Sequence, residues 1–139
     1  MRVRGLACRV LTAAVIGLLL QGVSRAAEGY TFQVVDPDGV YFGEGESPKT
    51  PAVIVADTVW AEIPEYKKIV EEELTDEDPR YHLLLKKATE RFEQALEKLA
   101  RRDGYDMIAE QGAIEVKGDK QKEIPDETED MVELVSRDS

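Results

Sequence analysis

Few side chains in this 139-residue sequence suit covalent or metal chemistry. His82 and Cys8 are the single histidine and the single cysteine. Nucleophile–base catalysis would therefore rest on one imidazole, and a zinc site of His or Cys type lacks ligands. Carboxylates are abundant, in Glu71-Glu72-Glu73, in Asp76-Glu77-Asp78 and from Asp126 to Asp130. Paired-acid catalysis needs two carboxyl groups in opposed environments inside a dry cleft. These runs read instead as solvated helix ends that would hold a divalent cation only weakly. Asp36-Pro37-Asp38-Gly39 has the start of a calcium loop. An EF-hand, however, requires a third ligand where Val40 stands and glycine where Tyr41 stands. Proline presets the first central turn position and glycine accepts the left-handed one, so the segment reads as a hairpin turn. His82, beside Tyr81 and close to acids, reads as a solvated ring and not as a pH switch. The expectation is a binding or structural protein, not an enzyme, with no metal and no cofactor.

Charge narrows the partners. With 18 basic and 29 acidic residues the net charge is -11. That balance argues against a nucleic-acid or anionic-membrane binder, since both need a basic face to neutralise phosphate. The first residues have their own character: Arg2, Arg4 and Arg9 precede the uncharged run Val10–Leu20, and Ser24-Arg25-Ala26 places small residues at the two positions that a signal peptidase reads. This is the layout of a cleaved secretory signal peptide over residues 1–26. The apolar run is shorter than the ~20 residues of a spanning helix, so no stable membrane insertion of the mature chain is expected. Cleavage after Ala26 removes four arginines and the only thiol, which takes the net charge from -11 to -15 and leaves no thiol to misoxidise in an oxidising compartment.

The elements behind these residues follow from periodicity. Residues 30–35 and 40–42 are β-prone and flank the Asp36–Gly39 turn, which predicts a hairpin; with the loop that follows, residues 27–51 form an N-terminal hairpin and linker. Val53–Ala56 is a continuous apolar run suited to a strand buried on both faces, and Asp57 or Thr58 is a candidate helix cap. Val59, Ile63, Tyr66, Val70 and Leu74 recur at helical spacing, with Pro64 dividing a short helix 58–63 from a second one reaching about Leu74. Trp60 and Tyr66, next to this stripe, read as packing anchors. Asp78 and Pro79 open a long helix whose stripe is Tyr81, Leu85, Ala88, Phe92, Ala95 and Leu99, closed by Arg101, Arg102 and Gly104. Leu85, Phe92 and Leu99 are seven apart, the seam of a coiled coil or helical hairpin. Residues 105–109 and 113–117 are strand candidates, and Thr128 caps a last helix presenting Met131, Leu134 and Val135. The fold class is α+β.

Three blocks in this order resemble the OmpH/Skp family. Val53–Ile69 (VIVADTVWAEIPEYKKI) is similar to the family's opening strand, short helix and proline-led helix. Ala95–Val116 (ALEKLARRDGYDMIAEQGAIEV) resembles the re-entry of the return helix into the β body, with Gly-Tyr-Asp and Gly-Ala the most specific residues. Thr128–Val135 is similar to the closing helix. The resemblance implies an ATP-independent periplasmic chaperone, a homotrimer whose helical arms hold unfolded outer-membrane proteins. It places the family-like domain at 52–139 with its arm at about 64–103. The outgoing helix, 64–74, is far shorter than the family's, the charge is opposite to that of the best-known member, and residues 27–50 lie outside the pattern. On this reading Tyr105, Met107, Ile114 and Val116 are candidate oligomer or core residues, because so small a monomer covers its strands poorly. Leu83 and Leu84, near the arm's tip, are candidate client contacts. The alternative is an oligomeric scaffold of the cell envelope without holdase activity.

Overall fold

The computed structural model describes residues 29–137. The expected signal segment and its cleavage after Ala26 lie outside the described residues. Among the described residues no helix is long and apolar enough to cross a membrane.

Of the apolar run Val53–Ala56 only Val53 and Ile54 are strand: the strand is Pro51–Ile54, with all four residues buried, while Val55 is half-buried and Ala56 already opens the first helix. The described chain is α+β: β1 (Tyr30–Val34), a 3-10 turn (Pro37–Gly39), β2 (Val40–Phe42), β3 (Pro51–Ile54), α1 (Ala56–Ala61), α2 (Pro64–Glu71), α3 (Pro79–Asp103), β4 (Met107–Glu110), β5 (Ile114–Gly118) and α4 (Thr128–Arg137). β4 lies between β2, antiparallel, and β3, parallel. β1 and β5 form a separate antiparallel pair, with Phe32 opposite Val116 and Val34 opposite Ile114. The outer edge of β3 is covered by the chain entering α4: Val53 N–H donates to Pro125 O at 2.9 Å and Glu127 N–H donates to Val53 O at 2.9 Å.

Two apolar clusters result. Ala52, Ile54, Val59, Ile63, Phe92, Leu99, Ile108, Met131 and Val135 belong to the cluster between sheet and helices. Phe32, Met107, Ala109, Ala113 and Ile114 make the second, under the β1–β5 pair. α3 follows its sequence signals closely. The Asp78 carboxylate accepts from Arg80 N–H at 2.8 Å, Pro79 occupies the first turn, and Gly104 takes the left-handed conformation (φ 74°) that ends the helix.

Three further expectations are corrected. β1 and β2 do not form a hairpin. The turn between them closes as a 3-10 turn in which the Asp36 carboxylate accepts from Asp38 N–H, and the strands leave it toward different partners, β5 and β4. Residues 30–42 thus share their sheets with residues 107–118. The α1 helix begins at Ala56, not Thr58, and has no side-chain cap of its own. α2 ends at Glu71, not near Leu74. Glu71, Glu72 and Glu73 crowd acids onto the negative end of the helix dipole. The chain leaves in a Schellman turn, with Leu74 N–H donating to Ile69 O and Glu73 N–H to Val70 O, and Glu73 itself at φ 50°. Val70 is consequently 60% exposed and not part of the buried stripe.

The two arm helices are locked by a forked ion pair. Arg91 Nε and Nη2 donate to the Glu65 carboxylate at 2.9 and 2.8 Å, with both side chains only 17% exposed. These hydrogen bonds hold the Glu65 carboxyl below its ordinary range. A depressed carboxylate contributes stability above its unfolded pKa of ~4.3 and loses it as pH falls through the folded value. Glu65→Gln should therefore cost about 1–3 kcal/mol at pH 7. Melting curves of variant and wild type should converge in acid, below the range in which Glu65 is ionised; a constant gap from pH 7 to pH 2 would contradict this assignment.

Candidate functional site

The Gly104-Tyr105-Asp106 segment has a structural explanation residue by residue. Gly104 stops α3. Tyr105 is half-buried and its hydroxyl donates to the Glu127 carboxylate at the start of α4. Burial and that carboxylate push the Tyr105 phenol well above its usual range. The Asp106 carboxylate accepts from Lys49 N–H at 2.7 Å and Thr50 N–H at 3.0 Å, and Thr50 Oγ1 donates to Gly104 O at 3.1 Å. The 43–50 loop is thereby pinned to the end of α3. Gly43 is required at that approach: its φ is 92°, and a Cβ there would lie 2.2 Å from Asp106 O.

The other candidate core and oligomer residues are placed within the chain. Met107 is fully buried and Ile114 is 5% exposed, both in the second cluster. Val116 is half-buried, opposite Phe32. β1 pairs with β5 from Tyr30 to Val34, and its Phe32 is buried in one cluster with Met107 and Ile114.

At the arm's tip Leu83 is 55% exposed, whereas Leu84 is half-buried. Leu83 and Val70 both lie between the Arg91–Glu65 pair and the Arg80–Glu72 pair that bridges the tip. His82 is exposed, and its Nε2 lies 2.8 Å from Asp76 O in the acidic turn.

A third constellation was not legible in the sequence. Trp60 stacks on Phe92 (5.3 Å between centroids, 27° between planes), meets Tyr66 edge-on at 5.6 Å, and Phe92 meets Tyr41 edge-on at 5.6 Å. These rings come from α1, α2, α3 and β2. Trp60 and Tyr66, with Asp57, Ala61 and Leu85, line an open groove of about 480 Å³. Beside it, Glu110 caps α1. Its Oε2 accepts from Ala56 N–H at 3.0 Å and from the Tyr41 hydroxyl at 2.9 Å. Burial first, then the Glu110 hydrogen bond and the nearby Asp57 and Asp36 charges, push the Tyr41 phenol up to about 12. The reading of Trp60 and Tyr66 as packing anchors accounts for one side of this aromatic row; the groove side has no counterpart in any local pattern.

Asp103, Glu127 and Asp130 bring carboxylate oxygens within 4.8 Å of one another, a donor set of the oxygen type that a hard cation takes. Arg102 already bridges Asp103 and Asp130, and Tyr105 donates to Glu127. The guanidinium holds the Asp103 carboxyl low. The trio is accounted for as a latch between α3 and α4.

The clamp at Asp106 has a direct test. Asp106→Ala leaves two backbone N–H groups without their acceptor and should cost about 1–3 kcal/mol. Amide exchange at Lys49 and Thr50 should accelerate, while exchange within α3 stays slow. Unchanged exchange at Lys49 and Thr50 would show that the loop is held by other contacts.

Comparison of the chain with protein-family models, with curated proteins and with solved structures finds no match.

Proposed function

We propose that the protein is an ATP-independent, chaperone-like protein of the periplasm that binds unfolded envelope or outer-membrane proteins through its helical arm. The observation that carries this reading is the placement of apolar exposure. The two most exposed large apolar side chains among the described residues, Val70 at 60% and Leu83 at 55%, are both on the α2–α3 arm. A holdase requires apolar surface that is presented and not covered. The element order from β3 onward, strand, short helix, helical hairpin, two strands and closing helix, supports the resemblance of residues 53–69, 95–116 and 128–135 to the OmpH/Skp family.

The arm sets the strength of the activity. α2 has eight residues, ~12 Å at 1.5 Å per residue, so one hairpin offers a client few contacts. Trimerisation would multiply them. Since β4 has partners on both edges, strands joining between subunits would use β1, β2 or β5. Light scattering on the mature chain is expected to return three times the monomer mass; a monomer at micromolar concentration with full thermal stability would refute the trimer.

Suppression of aggregation of a urea-denatured barrel protein tests the binding itself. Activity should be weaker than that of a long-armed chaperone and should rise with salt, which screens the negative chain from acidic clients. Val70→Ser with Leu83→Ser should remove about half of the suppression or more, since so few contacts contribute. Suppression that ignores the double substitution would place the client elsewhere on the protein. Absence of suppression at every salt concentration would favour the scaffold reading.

A further inference from the structure

The aromatic groove between α1, α2 and α3 has features that core packing does not require. Among the described residues its single charged lining group, the Asp57 carboxylate, has no ion-pair or hydrogen-bond partner. The same holds for hydrogen bonding by the Trp60 indole N–H and the Tyr66 hydroxyl. An unpaired acid and two aromatic side chains, each with an unpaired donor, therefore line one concave surface. Its volume, about 480 Å³, falls in the ~300–1,000 Å³ range of ligand clefts. The walls are also held in place. The indole is fixed by Phe92 beneath it and Tyr66 at its edge, so little side-chain freedom is lost on binding.

Charge identifies the occupant. No basic side chain lines the groove, and Asp36 and Glu110 add acidic field at Tyr41 on the same side as Asp57. An arginine guanidinium can form a forked pair with a carboxylate while its plane lies on an indole or phenol ring. Leu85 and Ala61 supply apolar wall for the residues on either side of it. An acidic segment would instead meet Asp57 without a counterion.

We propose that this groove binds an extended peptide segment in which an arginine is flanked by apolar residues, with the guanidinium on Asp57 and against Trp60 and Tyr66. The groove is lined by neither Val70 nor Leu83, so the proposal goes beyond the holdase reading and does not depend on it.

Trp60 is the only tryptophan in the sequence, so intrinsic fluorescence reports on the groove directly. The probes are the peptides acetyl-Ala-Leu-Arg-Leu-Ala-amide and its counterpart with Glu in place of Arg. The arginine peptide should change the Trp60 emission saturably. The glutamate peptide should bind at least about tenfold more weakly, the scale of one charge-assisted hydrogen bond. Asp57→Asn should weaken the arginine peptide about tenfold, and Leu85→Lys, which sets a cation of the chain's own at the groove, should abolish binding. Unliganded emission and melting curves that match the wild type certify that each variant is folded. Equal affinity for both peptides, no saturation by the arginine peptide at millimolar concentration, or full affinity in a folded Asp57→Asn protein would overturn the proposal.

Discussion

The structure depends on one short strand with no free side. Met107, Ile108 and Ala109 of β4 are each fully buried, and β4 is paired on both edges. Because side chains alternate across a strand, Ile108 enters the cluster beneath the helices while Met107 and Ala109 enter the cluster beneath β1 and β5. Three consecutive apolar residues thus hold two cores together. The parallel neighbour, β3, cannot be reached from β4 by a tight turn; parallel strands require a crossover, and α1, α2 and α3 are that crossover. The arm is the crossover drawn out past the body.

Polar bookkeeping around this strand is nearly all non-local. α1 starts on Val55 without a side-chain cap, and its first N–H groups are taken by Thr128 Oγ1 and Glu110 Oε2, from α4 and β4. Thr128 Oγ1 in turn donates to the Asp126 carboxylate at 2.6 Å. Asp106 performs the corresponding task for the backbone entering β3. No buried side-chain nitrogen or oxygen among the described residues lacks a partner. The large apolar side chains that this closed body still exposes among the described residues are Val70 and Leu83 on the arm helices and Val35 and Tyr41 outside them.

The acids divide into two kinds. Some are structural acceptors, as in Glu110, Asp106 and Asp78, each taking backbone N–H groups. Others, at the hairpin tip, are a local cost: Glu71, Glu72 and Glu73 sit at the wrong end of α2, and Glu73 adopts a left-handed backbone that favours glycine. α3 ends in the same kind of turn with Gly104 in that position. The two helix ends differ by one residue type, and only the glycine one is a strong local stop.

What the sequence by itself determined is the set of elements whose cause is local. α3 was readable from end to end because its stripe, its Asp78–Pro79 start and its Gly104 stop all act within a turn or two of the helix they define. The buried character of β3 and the existence of α4 were readable for the same reason. The candidate contacts at Leu83 and the buried positions of Met107 and Ile114 follow from such patterns, but which surface covers Ile114 does not. Tertiary structure alone decided that β1 joins β5 and β2 joins β4, that α1 takes its caps from Glu110 and Thr128, and that Tyr41, Trp60, Tyr66 and Phe92 form one row. A strand offers two edges of the same hydrogen-bonding chemistry to any partner of matching length. The ring contacts join segments up to tens of residues apart in the chain. Only the packing of those segments around β4 selects among the pairings that the sequence leaves equal.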